Sequence, residues 1–417
     1  MDRFTYIFHN LIHDGQLRFL IKFAGRVDEE RLARAFRLTL DIEPVLGCRF
    51  VERPFRPYWE RCSNLDSIPL CRVIQTQDHE REIFKYTVEP LEPCEGPQVQ
   101  ARVFRNTEDT LVVKMSHTVA DGHGLVDYLT LLAKTYRNLA DSPGYHPPPN
   151  WPSDRGLGQV FRRIGLWRLI RAYLNFRYSH ATWGFPSTGK ECVGKSFEEK
   201  WLPQEIFSRV KEYSHRNQIS VGNILLTAFY RALFSTCHTP LNKPLLVYVA
   251  ADMRRYLTGG INTSVCSLTG GVFPAINHKP GDTFNDTQDA VTSALKAAAA
   301  NHEWLEGIAH IGFDLTLLPF FMVRRIVRSN IERDFAAGNF HPWFSIFLTT
   351  DSEYSNFGDL GVMEEHLFTP VPYPPLCVLA CITTKGNLYF TTSYCDAAVS
   401  KETIQQFIDA IVSELPA

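Results

Sequence analysis

The sequence predicts an α/β fold built from two similar halves, each a two-layer sandwich of helices on a sheet. Short runs of alternating or continuous apolar residues, typical of strands, take turns along the chain with longer segments of helical periodicity. This order occurs on both sides of a Pro-rich stretch, 145–152, that breaks every periodicity. With 417 residues, the chain is long enough for each half to bury its own core.

The elements of the first half follow from the residue pattern. The predicted strands are 16–23, 98–104 and 110–116, and the predicted helices are 28–40, with acidic residues in its first turn, and 124–136. The loop that connects the last strand to the last helix therefore lies at one edge of the first α/β layer. A cleft between this layer and a second one is where small molecules often bind.

The second half repeats this style. The predicted strands are 196–201, 244–250, 267–274, 344–349, 377–383 and 387–393, and the predicted helices are 204–216, 221–234, 284–302 and a last helix that ends at 415. Ser220 and Ser400 are placed to cap two of these helices. We therefore divide the chain into a first subdomain, 1–155, a crossover segment, 156–195, and a second subdomain, 196–417.

Composition argues against several classes of protein. Lys and Arg total 43 against 45 Asp and Glu, so no basic field favours nucleic acid as a partner. The 10 cysteines are scattered without a CxxC pair, which predicts reduced thiols in a cytoplasmic protein. The first residues lack the apolar run of a signal peptide, and the apolar stretch 315–323 is too short to span a bilayer. We expect a cytoplasmic protein that is not integral to a membrane.

The strongest candidate for chemistry is the loop 117–123. His117 follows an apolar strand, where a ring nitrogen can take a proton from a substrate, and Asp121 can fix the loop or orient a partner. Gly122 and Gly124 give the turn conformational freedom. Two other interpretations stay open: His117 is a hydrogen-bonded structural residue, or His117, Asp121 and His123 bind a metal ion.

The motif His117-Thr118-Val119-Ala120-Asp121-Gly122 resembles the HxxxDG signature of the CoA-dependent acyltransferase superfamily. This superfamily includes chloramphenicol acetyltransferase, plant BAHD acyltransferases, wax ester synthases, alcohol acetyltransferases and the condensation domains of nonribosomal peptide synthetases. A second stretch, 247–255, is similar to the PVDLR element of the same superfamily, and its Arg254 matches the arginine that pairs there with the motif aspartate. The resemblance implies an ion pair between Asp121 and Arg254 that holds the loop, so that Asp121 is not itself an acid or base. An exposed arginine of little energetic weight is the alternative.

Further elements of the resemblance occur in the superfamily's order along the chain. They are Asn262 with the run 265–274, the SNxG-like Ser355-Asn356-Phe357-Gly358, the hairpin 374–394 and the helix 399–415. Together they imply two chloramphenicol acetyltransferase-like subdomains in a pseudo-dimeric arrangement, with an active-site channel between them. Ser116 replaces the first histidine of the tandem pair seen in many members, and the DFGWG element of the plant enzymes is missing. The missing DFGWG element favours a bacterial-type or condensation-like subgroup. No adenylation or carrier domain fits within 417 residues beside the two halves, so we expect a free-standing enzyme.

The chemistry that the resemblance implies is transfer of an acyl group from acyl-CoA to the hydroxyl or amine of a small-molecule or lipid acceptor. Neutral imidazole suits His117 for the role of general base. The tetrahedral oxyanion needs a donor, for which Ser355 and Asn356 are the candidates, with an ordinary turn as the alternative. Acyl-CoA is then a co-substrate, and we expect no bound cofactor or metal. Two other functions remain open: condensation with a carrier-protein thioester, and binding without turnover.

The segment 156–190 gives an indication of the kind of acceptor. Between 156 and 190 there is no Asp or Glu, and five arginines are interleaved with aromatic and aliphatic residues. This pattern predicts an interfacial helix that touches an anionic membrane, although a helix packed on the protein with its arginines in water is the alternative. A second basic and apolar segment, 320–333, favours a lipidic substrate and peripheral membrane contact.

Overall fold

The structure is a computed structural model that describes residues 1–150, 155–189, 192–241, 243–257, 264–348 and 353–416. Its helices are α1 Asp2–Phe8, α2 Glu29–Ile42, α3 His79–Val88, α4 Gly122–Asp141, α5 Gly158–Ile164, α6 Leu166–Asn175, α7 Gln204–Asn217, α8 Val221–Thr236, α9 Phe284–Ala300, α10 Glu306–Leu317, α11 Phe320–Ala336 and α12 Lys401–Ser413. Its strands are β1 Gln16–Phe23, β2 Cys48–Val51, β3 Tyr58–Arg61, β4 Cys71–Gln75, β5 Val99–Arg105, β6 Asp109–Ser116, β7 Ser196–Trp201, β8 Pro244–Leu246, β9 Tyr248–Asp252, β10 Thr269–Val272, β11 Ala275–Asn277, β12 Trp343–Leu348, β13 Val362–Phe368, β14 Val378–Thr384 and β15 Asn387–Tyr394.

The first sheet has five strands in the order β13-β1-β6-β5-β4. Alternate residues of β1, such as Phe19 and Ile21, pack under α2 and α4 in a core that also holds Phe36 and Leu129. Asp28 caps α2 by accepting a hydrogen bond from the backbone N–H of Arg31. The helix at 28–40 and the strands at 16–23 and 110–116 are confirmed, because their apolar period matches the face that they bury.

The outer strand of the first sheet comes from far along the chain. β13 pairs antiparallel with β1, with Arg18 opposite Phe368 and a bulge between Lys22 and Phe23. The division into 1–155, 156–195 and 196–417 stays a prediction, but the contacts show that residues beyond 196 complete the first sheet. The two halves are therefore joined by backbone hydrogen bonds as well as by side chains.

The second sheet has six strands in the order β10-β9-β12-β14-β15-β7. Helices α8 and α12 cover one face of this sheet, with Phe229 packed against Phe344 and Phe407. The predicted strand 244–250 is two strands, since β8 leaves the sheet to pair with β11 while β9 stays between β10 and β12. The predicted strand 267–274 likewise ends early, at Val272.

The basic segment after residue 155 forms two helices rather than one. Gly165, with a φ of 88°, separates α5 from α6. Helix α6 buries Leu169 and Ala172, whereas Trp167 is 83% exposed and Leu174 is 61% exposed. Peripheral membrane contact stays a prediction, and no helix in the described part of the chain is long and apolar enough to cross a bilayer.

The expectation of reduced cysteines is wrong for one pair. Cys192 and Cys395 form a disulfide with their Cα atoms 5.0 Å apart. The two cysteines are 203 residues apart in the sequence, so no local spacing identifies them as partners. The bond joins the crossover segment to the end of β15.

Candidate active site

The fold fixes the loop 117–123 at both ends. Its first residue follows β6, which is buried throughout and lies between β1 and β5. The backbone N–H of His117 donates a hydrogen bond of 2.8 Å to the carbonyl of Gly15. At the other end, Asp121 caps α4 and accepts a hydrogen bond of 2.9 Å from the N–H of Gly124. The histidine is therefore presented by a short loop between two rigid elements.

Arg254 holds Asp121 from the other half of the molecule. Its two terminal nitrogens donate hydrogen bonds of 3.1 and 3.0 Å to the two carboxylate oxygens of Asp121. The N–H of Leu268 and the hydroxyl of Thr269 donate to the same carboxylate, at 2.7 and 2.8 Å. Asp121 is 3% exposed and Arg254 is 8% exposed, so the pair is shielded from water. The interpretation of Arg254 as an exposed surface arginine does not fit this burial.

The electrostatics of this pair decide what Asp121 can do. Burial alone would raise the pKa of Asp121, but the Arg254 guanidinium and its hydrogen bonds hold that pKa well below the usual range. The carboxylate stays ionised, and donors occupy both oxygens. Asp121 is therefore unsuited to proton transfer or to metal ligation, and its contacts fix the position of the loop.

The metal interpretation also lacks geometric support from His123. The Nε2 atom of His123 lies 3.8 Å from Asp252, and its ring packs on Phe347 with the ring centroids 4.5 Å apart. Within the residues that the structure describes, no three ligating side chains are grouped so that they could hold a metal ion. His117, Asp121 and His123 do not converge on one point.

His117 is partly exposed, unlike the carboxylate that follows it. Its Nδ1 atom is buried and has no hydrogen-bond partner among the described residues, which leaves Nε2 as the nitrogen available to a substrate. Burial lowers the pKa of His117 below its ordinary value of 6.5, although nearby backbone groups and the charge of Asp121 oppose this change. The imidazole is therefore neutral at pH 7.

The two glycines of the loop have different roles from the expected ones. Neither has a left-handed backbone, so conformational freedom is not what requires glycine at these positions. A Cβ atom on Gly124 would lie 2.5 Å from the carbonyl oxygen of Cys266, whereas a Cβ on Gly122 would meet only Phe347, at 4.0 Å. Gly124 thus lets α4 approach the second half closely, whereas a side chain at Gly122 would meet Phe347 only at van der Waals distance.

His13 and Gly15, which were not predicted from the sequence, support His117. The His13 ring stacks on the His117 ring, with the centroids 5.7 Å apart and the planes 9° apart. Gly15 has a φ of 66°, and a Cβ atom there would lie 2.0 Å from Nδ1 of His9. The signal that identifies these residues is register, because Gln16 of β1 lies opposite Ser116 of β6. The residues just before β1 must therefore lie beside His117.

The candidate oxyanion donors Ser355 and Asn356 do not lie beside His117, so their proposed role has no support from the geometry. The carbonyl of Asn356 accepts a hydrogen bond from Arg137 of α4, sixteen residues after Asp121. At 1.5 Å per residue, this contact is about 24 Å along the helix from the capped end. The side chain of Asn356 accepts a hydrogen bond from the N–H of Gly358, so the stretch is a turn, as the alternative held. Asn262 and Thr349 lie outside the described residues.

Comparison with known proteins extends these observations. The sequence matches no family profile and no curated protein. Its structure is similar to the first condensation domain of the CDA synthetase, with a TM-score of 0.71 and 16% identity over 99% of this chain and 93% of that one. It is also similar to polyketide synthase associated protein 5 from Mycobacterium tuberculosis, with a TM-score of 0.69 and 14% identity over 98% and 96% of the two chains.

A third similar structure is TRI3, the trichothecene 15-O-acetyltransferase from Fusarium sporotrichioides. Its TM-score is 0.70, with 12% identity over 99% of this chain and 93% of that one. The three likenesses, each at 16% identity or less, show that this chain has the chloramphenicol acetyltransferase-like fold of condensation domains. The predicted pseudo-dimeric α/β fold is thereby confirmed.

Proposed function

We propose that this protein is an acyltransferase that moves an acyl group from acyl-CoA to the hydroxyl or amine of a small-molecule or lipid acceptor. The observation that carries the proposal is the division of roles between His117 and Asp121. His117 is neutral and partly exposed, whereas Asp121 is ionised and saturated by donors. Of these two groups, His117 is the one suited to take a proton. Two proteins of similar structure, a condensation domain and an acetyltransferase, agree with this chemistry.

The reaction follows from these roles. As the acceptor oxygen or nitrogen attacks the thioester carbonyl carbon, its proton passes to Nε2 of His117. The carbonyl electrons move onto the oxygen of a tetrahedral intermediate. When that intermediate collapses, the carbon–sulfur bond breaks and the imidazolium returns the proton to the thiolate of CoA. The products are the ester or amide and free CoA, and His117 is neutral again.

The test is release of CoA from a panel of acyl-CoA thioesters, measured with a thiol reagent in the presence of alcohols and amines. The wild-type protein should release CoA only with an acceptor, and His117→Ala should be slower by about 10² to 10⁴-fold, as is typical when a general base is lost. The variant should keep the wild-type melting temperature, because the side chain lies in a loop and not in a core. Wild-type turnover by a folded His117→Ala variant would refute the assignment. Chelators should leave the rate unchanged.

The same assay separates the two other functions. A condensation-type enzyme would give product with an acylated carrier protein and not with acyl-CoA. A binding protein would give neither product. In that case CoA or the acceptor should still raise the melting temperature, as a ligand selective for the native state does.

We also propose peripheral contact with an anionic lipid surface through α6. Its outward side carries Leu166, Trp167 and Leu174, which are 62%, 83% and 61% exposed, together with the exposed Arg168 and Arg171. Exposed apolar side chains beside exposed arginines suit the boundary between lipid headgroups and acyl chains. A helix packed only for its own burial would turn these apolar residues inward.

A further inference from the structure

We propose that His13 is a second catalytic imidazole, whose Nε2–H donates a hydrogen bond to the oxygen of the tetrahedral intermediate beside His117. This inference rests on the proposed function. It supplies the oxyanion donor that Ser355 and Asn356 do not, since those residues lie at the far end of α4. Its basis is the position, tautomer and unused donor of His13.

The backbone before β1 sets the position of the His13 ring. The His13 ring lies nearly parallel to the His117 ring at a centroid distance of 5.7 Å, and the edge of Trp343 closes another side of it at 6.3 Å. Gly15 links the two histidines, because its N–H donates to Nδ1 of His13 at 3.0 Å and its carbonyl accepts from the N–H of His117 at 2.8 Å. A group that is fixed relative to the base meets the need for preorganisation in catalysis.

The hydrogen bond from Gly15 also decides which nitrogen of His13 carries hydrogen. Nδ1 accepts that bond, so the proton of the neutral ring must be on Nε2. Burial, followed by the repulsion of a charged His117, lowers the pKa of His13 to about 3. At pH 7 the ring is a neutral donor, which does not compete with His117 for the proton of the acceptor.

The donor on Nε2 has no use in the folded protein itself. His13 is 5% exposed, yet none of the described residues accepts a hydrogen bond from its Nε2–H. Nε2 is not one of the buried side-chain atoms that lack a partner, so it is accessible at the surface of the site and a substrate oxygen can take the place of water there. The structural task of His13, which is to accept from Gly15, needs only Nδ1. A substrate oxygen beside His117 would satisfy the other nitrogen.

Two substitutions separate the structural task from the catalytic one. In His13→Asn, the amide oxygen takes the place of Nδ1 and can accept from Gly15, but nothing reaches the Nε2 position. In His13→Gln, the longer side chain carries an amide donor to that position. If His13 is an oxyanion donor, kcat of His13→Asn should fall by about 10² to 10³-fold with little change in KM, and His13→Gln should recover part of this loss.

The opposite order of activities, with Asn near wild type and Gln impaired, would overturn the proposal, because only the contact with Gly15 would then matter. Near-wild-type kcat in both variants would overturn it as well. A wild-type protein that fails to transfer acyl groups contradicts the proposed function instead, so the two failures are distinguishable.

A measurement on the wild-type protein covers the case in which both variants unfold. Selective ¹⁵N labelling of histidine allows the His13 Nε2–H resonance to be followed by NMR. A ketone analogue of acyl-CoA, which keeps the carbonyl oxygen but cannot transfer the acyl group, should shift this resonance downfield. A bound analogue that leaves the resonance in place would overturn the proposal.

Discussion

Alanine at position 121 removes the acceptor of five hydrogen bonds in a buried site. Arg254 donates two of them, and Gly124, Leu268 and Thr269 donate one each. After the change, the guanidinium keeps Asp252 at 3.2 Å and the carbonyl of Cys266 at 2.9 Å, which compensate only part of its charge. Breaking a buried ion pair in this way costs about 3 to 5 kcal/mol.

This cost corresponds to a measurable change in melting temperature. Unfolding entropy near 2.1 cal/mol/K per residue gives about 0.9 kcal/mol/K for 417 residues. If the chain unfolds as one unit, Asp121→Ala should melt roughly 3 to 6 °C below wild type, and more if a smaller unit unfolds first. Arg254→Ala should show a similar loss, because it leaves the carboxylate with backbone and hydroxyl donors only. Both variants should also lose activity, since the loop no longer holds His117.

The double variant Asp121→Ala/Arg254→Ala is the decisive measurement. It leaves no uncompensated charge, so its loss of stability should be smaller than the sum of the two single losses. The exposed pair Arg328 and Glu332 of α11, 3.0 Å apart, serves as a control for which each change should cost less than about 1 kcal/mol. Strict additivity of the Asp121 and Arg254 losses, measured by thermal and denaturant unfolding, would refute the reasoning.

Gly124→Ala should destabilise the protein by about 1 to 3 kcal/mol and lower its melting temperature, because the added Cβ would overlap the backbone of Cys266. Gly122→Ala should leave the melting temperature unchanged, because its Cβ meets no backbone atom. Equal melting temperatures of the two variants would contradict this prediction. Since the reaction needs neutral His117, whose pKa is lowered, kcat/KM should fall on the acid side with a midpoint below pH 6.5, and a midpoint above that value would count against His117. The wild-type protein should sediment with phosphatidylserine vesicles. A smaller fraction of Trp167→Gln should sediment than of the control Leu241→Gln, which changes an exposed apolar residue outside α6. Equal fractions for the two variants would argue against α6 as the membrane contact.

The sequence predicts those elements whose apolar period matches the face that they bury. The strand at 16–23 is one such element, and the helix at 28–40 is another. β13 was not predicted, because Glu364 and Glu365 interrupt its apolar pattern and its partner lies in the other half. Helix α10, at 306–317, was not predicted either, and α11 was noted only for its basic and apolar composition.

The same limit applies to the site. The approach of Arg254 to Asp121 came from a resemblance and not from a local pattern, because 133 residues separate the two. His13 lies 104 positions before His117, and only the register of β1 against β6 brings the rings together. The expectation for Ser355 and Asn356 came from a short motif that also describes a turn. Contacts that depend on strand register cannot be read from composition or spacing.

The late origin of β13 has a consequence for synthesis on the ribosome. Arg18 is translated 350 residues before its partner Phe368. At a translation rate of about 5 to 20 residues per second, the edge of β1 that pairs with β13 stays unpaired for roughly 20 to 70 s. An unpaired edge strand is a template for pairing with other chains. The nascent protein therefore passes through a period in which aggregation competes with folding.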